Sequence, residues 1–518
     1  MAAAVAGRKP AKVHPHLQGN WGPVPEERRV EGLPVASGSI PHDLVGEYCR
    51  VGPNLQFPPK AMSAYHMFAG DGMLHCMRID GRSQTASYVN RWVRTPRFRA
   101  ERAAGGHVHH ARPMEDLGPT EGRIESMRGG LANTALVFHG SKLLALEEGH
   151  LPFGLGILPD GDVVTHGFED FGGRLAHEFT AHPKVDPATR EMIFFGYNLT
   201  RKPYCSYGVV DADGHLITSL PIDYDKPVMM HDCAITAGYS IILYLPLVAD
   251  LQGLQAGKLP FMLDRKQPSR FAIFPRHAKT ADEITWFEYP TASFGYHTAN
   301  CWEEGDTIYM VHVTDDAFDF RKNGIGGDLK LVRWSFHLPT RQVSRVTLLD
   351  RQVEFPIINP RVVARHSRFV YVLHIGLDGR VPGAERPVLE RYSAEHVAKG
   401  YLWAVSKVDV QAGGELGRIA FGKEMLGAEC AFAARQGAAA EDAGYLVTVL
   451  YDAAARESSL AAYDAETMAP EPVFVVKLPA RVPFGFHALW LPESQLQEQP
   501  VWRARPAPEP EPLHRAGA

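Results

Sequence analysis

The sequence contains no run of about 18 apolar residues, so nothing in it reads as a transmembrane helix. It has no Cys-x-x-Cys pair. Its six cysteines (Cys49, Cys76, Cys205, Cys233, Cys301 and Cys430) are scattered, which suits reduced, buried thiols in a cytoplasmic setting better than a disulfide framework. Cys233 and Cys301 are read as small apolar fillers. The start, Met1-Ala-Ala-Ala-Val-Ala-Gly-Arg8, lacks the apolar core of a secretory signal. An excess of positive charge is missing too: 54 Lys and Arg face 59 Asp and Glu, for a net charge of −5. Nothing therefore points to a nucleic-acid partner. Long 3.6-residue periodicity is almost absent, and no repeat of about 40–50 residues stands out.

What is present is a long series of short β-branched and aromatic runs punctuated by Gly, Pro, Asp and Asn. Examples are Ala86–Val93, Glu191–Tyr197, Ser240–Leu245, Thr307–Val313, Phe369–His374 and Gly444–Tyr451. Asp211-Ala-Asp-Gly-His215 and Ile79-Asp-Gly-Arg82 read as hairpin turns. Open sheets rarely exceed about 10 strands, so this many strands call for radial repetition. The expected fold is all-β, a β-propeller with loops capping its centre. A cupin-type jelly roll is the competitor, and its ligands usually cluster more tightly in sequence. Residues 18–495 are expected to form one domain. Residues 1–17 and the Pro/Glu-rich 496–518 lack the apolar content of a core and are expected to be disordered.

Four of the 24 histidines sit in contexts that suit a metal ligand. His182 precedes Pro183, His231 precedes Asp232, His297 opens a segment reaching Asn300 and Glu303, and His487 follows Gly485-Phe486. Neutral imidazole suits iron, copper, nickel or zinc. Ligands spread from residue 182 to 487 need a scaffold that returns the chain repeatedly to one point, as the axis of a propeller does. His107, His109 and His110 form a second histidine-rich stretch, read as solvated loop. Ligating histidines normally donate their second N–H to a carboxylate or carbonyl. Glu148, Glu354 and Glu429 lie in apolar settings where an unpaired carboxylate would be costly. On the residues alone, a four-histidine metal site and four structural histidines both stand.

From about Leu17 to Pro492 the chain resembles the carotenoid cleavage oxygenase family, non-haem iron enzymes on a seven-bladed β-propeller. The matching motifs are Gly52-Pro-Asn54, Phe68-Ala-Gly-Asp-Gly-Met-Leu-His75, Thr180-Ala-His-Pro-Lys184, His231-Asp-Cys-Ala-Ile-Thr236, Glu354-Phe-Pro356 and Arg481-Val-Pro-Phe-Gly-Phe-His487. They occur in the family's order. The resemblance implies that His182, His231, His297 and His487 bind Fe(2+). It also implies that Glu148, Glu354 and Glu429 support His231, His297 and His487 respectively. Cys233 and Ala69 depart from the family's usual Phe and Asp, but neither is a ligand.

The chemistry implied by the resemblance is cleavage of a C=C bond by O2 to two carbonyl products, with no external reductant. Thr134 corresponds to a threonine that some relatives place beside the open metal position, and Phe68 is a candidate pocket wall. The segments Asn133–Pro152 and Asn90–Thr95 look most like the lignostilbene dioxygenase branch, which implies a phenolic alkene of stilbene or isoeugenol type. Hydroxystilbene enzymes of that branch carry lysine just before the first supporting glutamate; this chain has Glu147, which would repel a phenolate. The alternative substrate is an apocarotenoid or carotenoid. An isomerohydrolase, or a scaffold that only binds an apolar ligand, is the reading from another class. Leu245–Val248 and Leu259–Leu263 are candidates for an apolar tunnel mouth in peripheral contact with a membrane.

Overall fold

The computed structural model describes residues 15–59, 67–106, 130–249, 261–319, 328–376, 401–422 and 424–498. His107, His109 and His110 lie outside these, as do the outer parts of both expected disordered ends. The described residues extend from 15 at the start to 498 at the end. Pro15–Leu17 forms a 3-10 turn, and Leu496 is buried in the short helix Glu493–Gln497.

The strands assemble into antiparallel units of four or five. The first runs from Ala488–Pro492 through Val45–Pro53, Gly72–Asp80 and Thr85–Trp92 to Arg28–Leu33. The second to fifth each use four strands in sequence order, opening with Ala135–His139, Lys184–Val185, Cys233–Ile235 and Thr298–Glu304. The sixth opens with Val353–Ile357 and the seventh with Ala431–Ala434; Met425–Gly427 bridges these two into one ten-stranded sheet. The seventh is completed by Val35–Gly38 from the start of the chain. This is not the two stacked sheets of a jelly roll.

Local sequence explains the joints. In the Asp211 hairpin, the carboxylate accepts from the amides of Asp213 (3.1 Å) and His215 (2.8 Å), and Gly214 takes φ +91°. Sequence reading missed the helix Pro96–Ala104 as well as the short Glu493–Gln497. The signals of the first are local rather than periodic: Thr95 Oγ1 caps the Phe98 amide, Pro96 occupies the first turn, and Gly105 ends the helix at φ +65°.

Seven apolar clusters lie between neighbouring units. Leu74 with Phe153 joins the first to the second, Leu144 with Phe194 the second to the third, and Phe195 with Phe274 the third to the fourth. Phe271 with Trp334, Val311 with Val408, and Leu373 with Leu446 continue the series. Val447 with Tyr48 joins the seventh back to the first. The inner strands thus bury both faces against neighbouring units, as Val45–Pro53 and Gly444–Asp452 do, and read as continuous apolar runs, whereas the outer strands Leu216–Ile222 and Gln342–Leu349 alternate with solvent. The Leu247–Ala249 and Phe261–Leu263 segments pair as a separate two-stranded ladder, with Met262 exposed. None of the described helices is long and apolar enough to cross a membrane.

Candidate metal centre

Each unit brings one polar side chain to the same place. Thr134, His182, His231, His297, Glu429 and His487 stand at most two residues ahead of the strand that opens a unit, and Glu354 stands inside one. One ring nitrogen from each of His182, His231, His297 and His487 lies within 4.8 Å of all the others. The rings meet at centroid separations of 4.5–4.8 Å.

The approach of each histidine is fixed locally. Thr180 Oγ1 accepts from the His182 amide (3.0 Å) and donates to the His231 carbonyl (3.2 Å), so Thr-Ala-His ties two ligand segments together. Asp232 accepts from the Cys233 amide (2.7 Å), the Thr298 amide (2.7 Å) and Lys184 (2.7 Å), locking the chain on either side of His231 and His297. Phe355 adopts φ +52° and stacks on the His297 ring at 5.4 Å. A side chain other than glycine pays strain for that backbone, and here it sits against the site.

Three imidazoles are oriented from behind. His231 Nδ1 bonds Glu148, His297 Nδ1 bonds Glu354 at 2.5 Å, and His487 Nδ1 bonds Glu429 at 3.1 Å. A carboxylate only accepts, so each Nδ1 carries the proton and each Nε2 presents a lone pair. The remaining oxygens of Glu148 and Glu429 are held by Tyr197 Oη (2.7 Å) and the Ala488 amide (2.5 Å). Burial, reinforced by the neighbouring histidines, holds His182 and His297 well below the usual imidazole pKa, in the neutral form that ligates metals. Burial also pushes the Glu354 carboxyl well above its usual range; the Phe355 amide opposes this and Glu429 adds to it. A cation across His297 is the counter-charge such a carboxylate needs.

Two observations test the fit of a metal. The Nε2 atoms of His231 and His297 lie 3.0 Å apart, yet both tautomers leave that pair without a proton between them. His182 Nε2 is buried with no hydrogen-bond partner. Lone pairs converging on one place call for a cation, and the four-histidine group fits a metal ion.

The family profile described as retinal pigment epithelial membrane protein matches residues 21–492. The chain belongs to that family, the carotenoid cleavage oxygenases. This member is 37% identical to a carotenoid 9,10(9',10')-cleavage dioxygenase 1 of Phaseolus vulgaris, over 94% of this chain and 91% of the relative. It is 38% identical to a carotenoid 9,10(9',10')-cleavage dioxygenase of Crocus sativus, over 93% of this chain and 90% of the relative. Among solved structures it is similar to the lignostilbene dioxygenase of Pseudomonas brassicacearum, with a TM-score of 0.79, 25% identity, and coverage of 94% of this chain and 100% of that one. It is also similar to an apocarotenoid oxygenase of Synechocystis, with a TM-score of 0.74, 25% identity, and coverage of 93% and 99%. This member of the carotenoid cleavage oxygenases is an oxygenase enzyme.

The remaining candidates divide. Thr134 lies beside the centre, its carbonyl accepting from the His487 amide at 3.2 Å. Phe68 packs on Phe486 at 5.0 Å, and its carbonyl accepts from Asn133 at 2.9 Å. Glu147 turns away from its neighbour Glu148: it accepts from the Leu131 amide, from the Ala132 amide at 3.1 Å and from His150 Nδ1. Burial opposes its ionisation, but His150 and the two amides hold its carboxyl below the usual range. Asn300 and Glu303 serve neighbouring loops instead of the centre, through Val362, Arg365, Thr236 and Gly238. Sequence reading missed Tyr197 and Thr180. Thr180 was findable from its place two residues before His182; Tyr197 carries no local signal.

Proposed function

We propose that this chain is an Fe(II) dioxygenase that cleaves a C=C bond of a carotenoid or apocarotenoid with O2, giving two carbonyl products. The observation that carries the reading is the set of four imidazoles, three with Nδ1 bound to a glutamate, and no carboxylate among the ligand atoms. A two-histidine-one-carboxylate site recruits an oxo-acid to supply two of the four electrons that reduce O2; without it, all four come from the alkene, whose one C=C becomes two C=O.

Seven strand units in chain order, joined by seven apolar clusters that return from the last unit to the first, support a closed seven-bladed β-propeller. His182, His231, His297 and His487 would hold the ion, with Glu148, Glu354 and Glu429 fixing three ring orientations. Ferrous iron there would supply the centre at which O2 and the alkene react. Thr134 and Phe68, packed around the His487 segment, flank the approach.

Glu147 supports a polyene over a phenolic alkene. Its oxygens are spent on two amides and His150, so it offers no group to a phenol, and the named relatives above 30% identity are carotenoid cleavers. The six cysteines are free and buried, which supports a reducing, cytoplasmic setting.

Chain loaded anaerobically with Fe(II) and then given an apocarotenal, a carotenoid, resveratrol or isoeugenol separates the readings. Aldehydes from the polyenes alone support this one. Cleavage of resveratrol or isoeugenol alone returns the substrate to phenolic alkenes. Bound iron with no cleavage of any alkene favours an isomerohydrolase or a ligand-binding scaffold.

A further inference from the structure

A second buried group of ligand-type atoms is separate from the four histidines. One carboxylate oxygen of Glu47 and the thiols of Cys49 and Cys76 lie within 4.8 Å of one another. Strand pairing builds the group. Glu47 and Cys49 are two residues apart on Val45–Pro53 and so share a face. On the neighbouring strand Cys76 stands directly opposite Cys49, and Arg78 opposite Glu47. That face looks into the seam between the first and second units, where both cysteines join the apolar cluster of Leu74, Leu143 and Phe153.

Glu47 is the member that an apolar seam does not explain. It is 1% exposed, and its Oε2 is buried with no hydrogen-bond partner. Arg78 comes only to 3.9 Å of that oxygen, beyond hydrogen-bond reach, and is itself one-third exposed. A buried polar oxygen left unpaired is costly, and a proton placed on it would want an acceptor in turn. Two thiols side by side can serve as apolar filler or close a disulfide. Either role leaves the Glu47 oxygen unanswered. A cation held by all three side chains answers it.

The donor set says which cation. Two sulfurs disfavour magnesium and calcium, and a carboxylate oxygen disfavours Cu(I); zinc accepts both donors. Tetrahedral bonds of about 2.3 Å put two sulfurs about 3.8 Å apart, so the three side chains need close by no more than about 1 Å. We propose that Glu47, Cys49 and Cys76 form a second metal site, for a thiophilic divalent ion of the zinc class. Binding displaces the two thiol protons to solvent and moves no electrons. The ion ties two neighbouring strands of the first unit together where they meet the second, a structural duty independent of the iron reading.

The test uses full-length chain produced in medium supplied with Co(II), so that the ion is present while the seam forms. Cobalt on the four histidines has no sulfur ligand, so a near-ultraviolet sulfur-to-cobalt charge-transfer band reports the second site alone. Wild type should show the band. Cys49→Ser and Cys76→Ser should each weaken or lose it, whereas Glu47→Gln should keep it but surrender cobalt to a chelator faster. If the cysteine variants do not fold, X-ray absorption of zinc-loaded wild type decides. The site predicts a shell of two sulfurs at about 2.3 Å and oxygen at about 2.0–2.2 Å. Cobalt-loaded wild type without the band, or zinc surrounded by nitrogen and oxygen only, overturns the proposal.

Discussion

His231 and His297 place their Nε2 atoms 3.0 Å apart, with both Nδ1 atoms committed to glutamates. Two lone pairs face each other and only a cation relieves them. Metal removal should therefore destabilise the protein. Chelation is expected to lower Tm, and re-addition of Fe(II) or Co(II) to restore it, by the binding linkage of about 2.7 kcal/mol at a free metal concentration 100 times Kd. A Tm indifferent to chelation would contradict the site. Calorimetry of the two forms makes the comparison.

Glu148→Gln, Glu354→Gln and Glu429→Gln each keep a side-chain oxygen while weakening the charge behind one imidazole. Each should lower metal affinity about 10–100-fold, as outer partners of ligating histidines generally do. Tyr197→Phe removes only the phenol donor to Glu148 and should have a smaller effect in the same direction. Competition with a chromophoric chelator reads all four.

Glu147 and Glu148 are neighbours with unrelated duties, and their variants should part accordingly. Glu147→Ala leaves the Leu131 and Ala132 amides without their acceptor and should cost about 1–3 kcal/mol of stability. Metal affinity should stay near wild type. Urea unfolding alongside metal titration separates the two effects.

A Cβ on Gly52 would meet the Gly485 Cα at 2.7 Å, backbone against side chain, two residues before His487. Gly52→Ala should cost about 1–3 kcal/mol as overpacking does. Because the displaced segment carries His487, metal occupancy should fall as well. Unfolding midpoint and metal content, measured on one preparation, check both.

Acid should weaken the metal-free fold from just below pH 6.5. Burial holds His75 at about 3, and His312 and His374 at about 4, so each stays neutral in the fold but takes a proton once unfolded. Their contribution is complete above the unfolded value of about 6.5 and is lost as pH falls, by about 1.4 kcal/mol per unit for each group. Glu47, pushed up to about 7 by burial, works the other way between 7 and the usual carboxylate value, as does Glu354. In the metal-free chain His182 and His297, also held well below the usual value, act in the same direction, so the histidines outweigh the two carboxyls, and His312→Gln should flatten the slope. Denaturant midpoints at pH 7.5, 6.5 and 5.5 test it.

The strands were legible because β-branched runs between Gly, Asp and Asn announce themselves; Phe369–Gly376 and Gly444–Asp452 differ from their reading by a residue or two. The repetition of four- and five-stranded units was not. The units share a backbone plan and one polar side chain at the opening edge, and Thr, His and Glu at those positions leave no common sequence motif. Glu148, Glu354 and Glu429 bond His231, His297 and His487 in the structure, whereas Tyr197 acts across 49 residues of chain and has no local trace. Glu147 was flagged for what it lacks; only the structure gives its partners.

The central claim is tested most directly by stoichiometry. Fe(II)-loaded chain is supplied with an apocarotenal and O2 uptake is measured against double bonds cleaved, with no reductant added. An Fe(II) alkene dioxygenase consumes one O2 per bond cleaved and forms two carbonyl products. Cleavage that requires an added reductant, or bound iron with no O2 uptake, would contradict it.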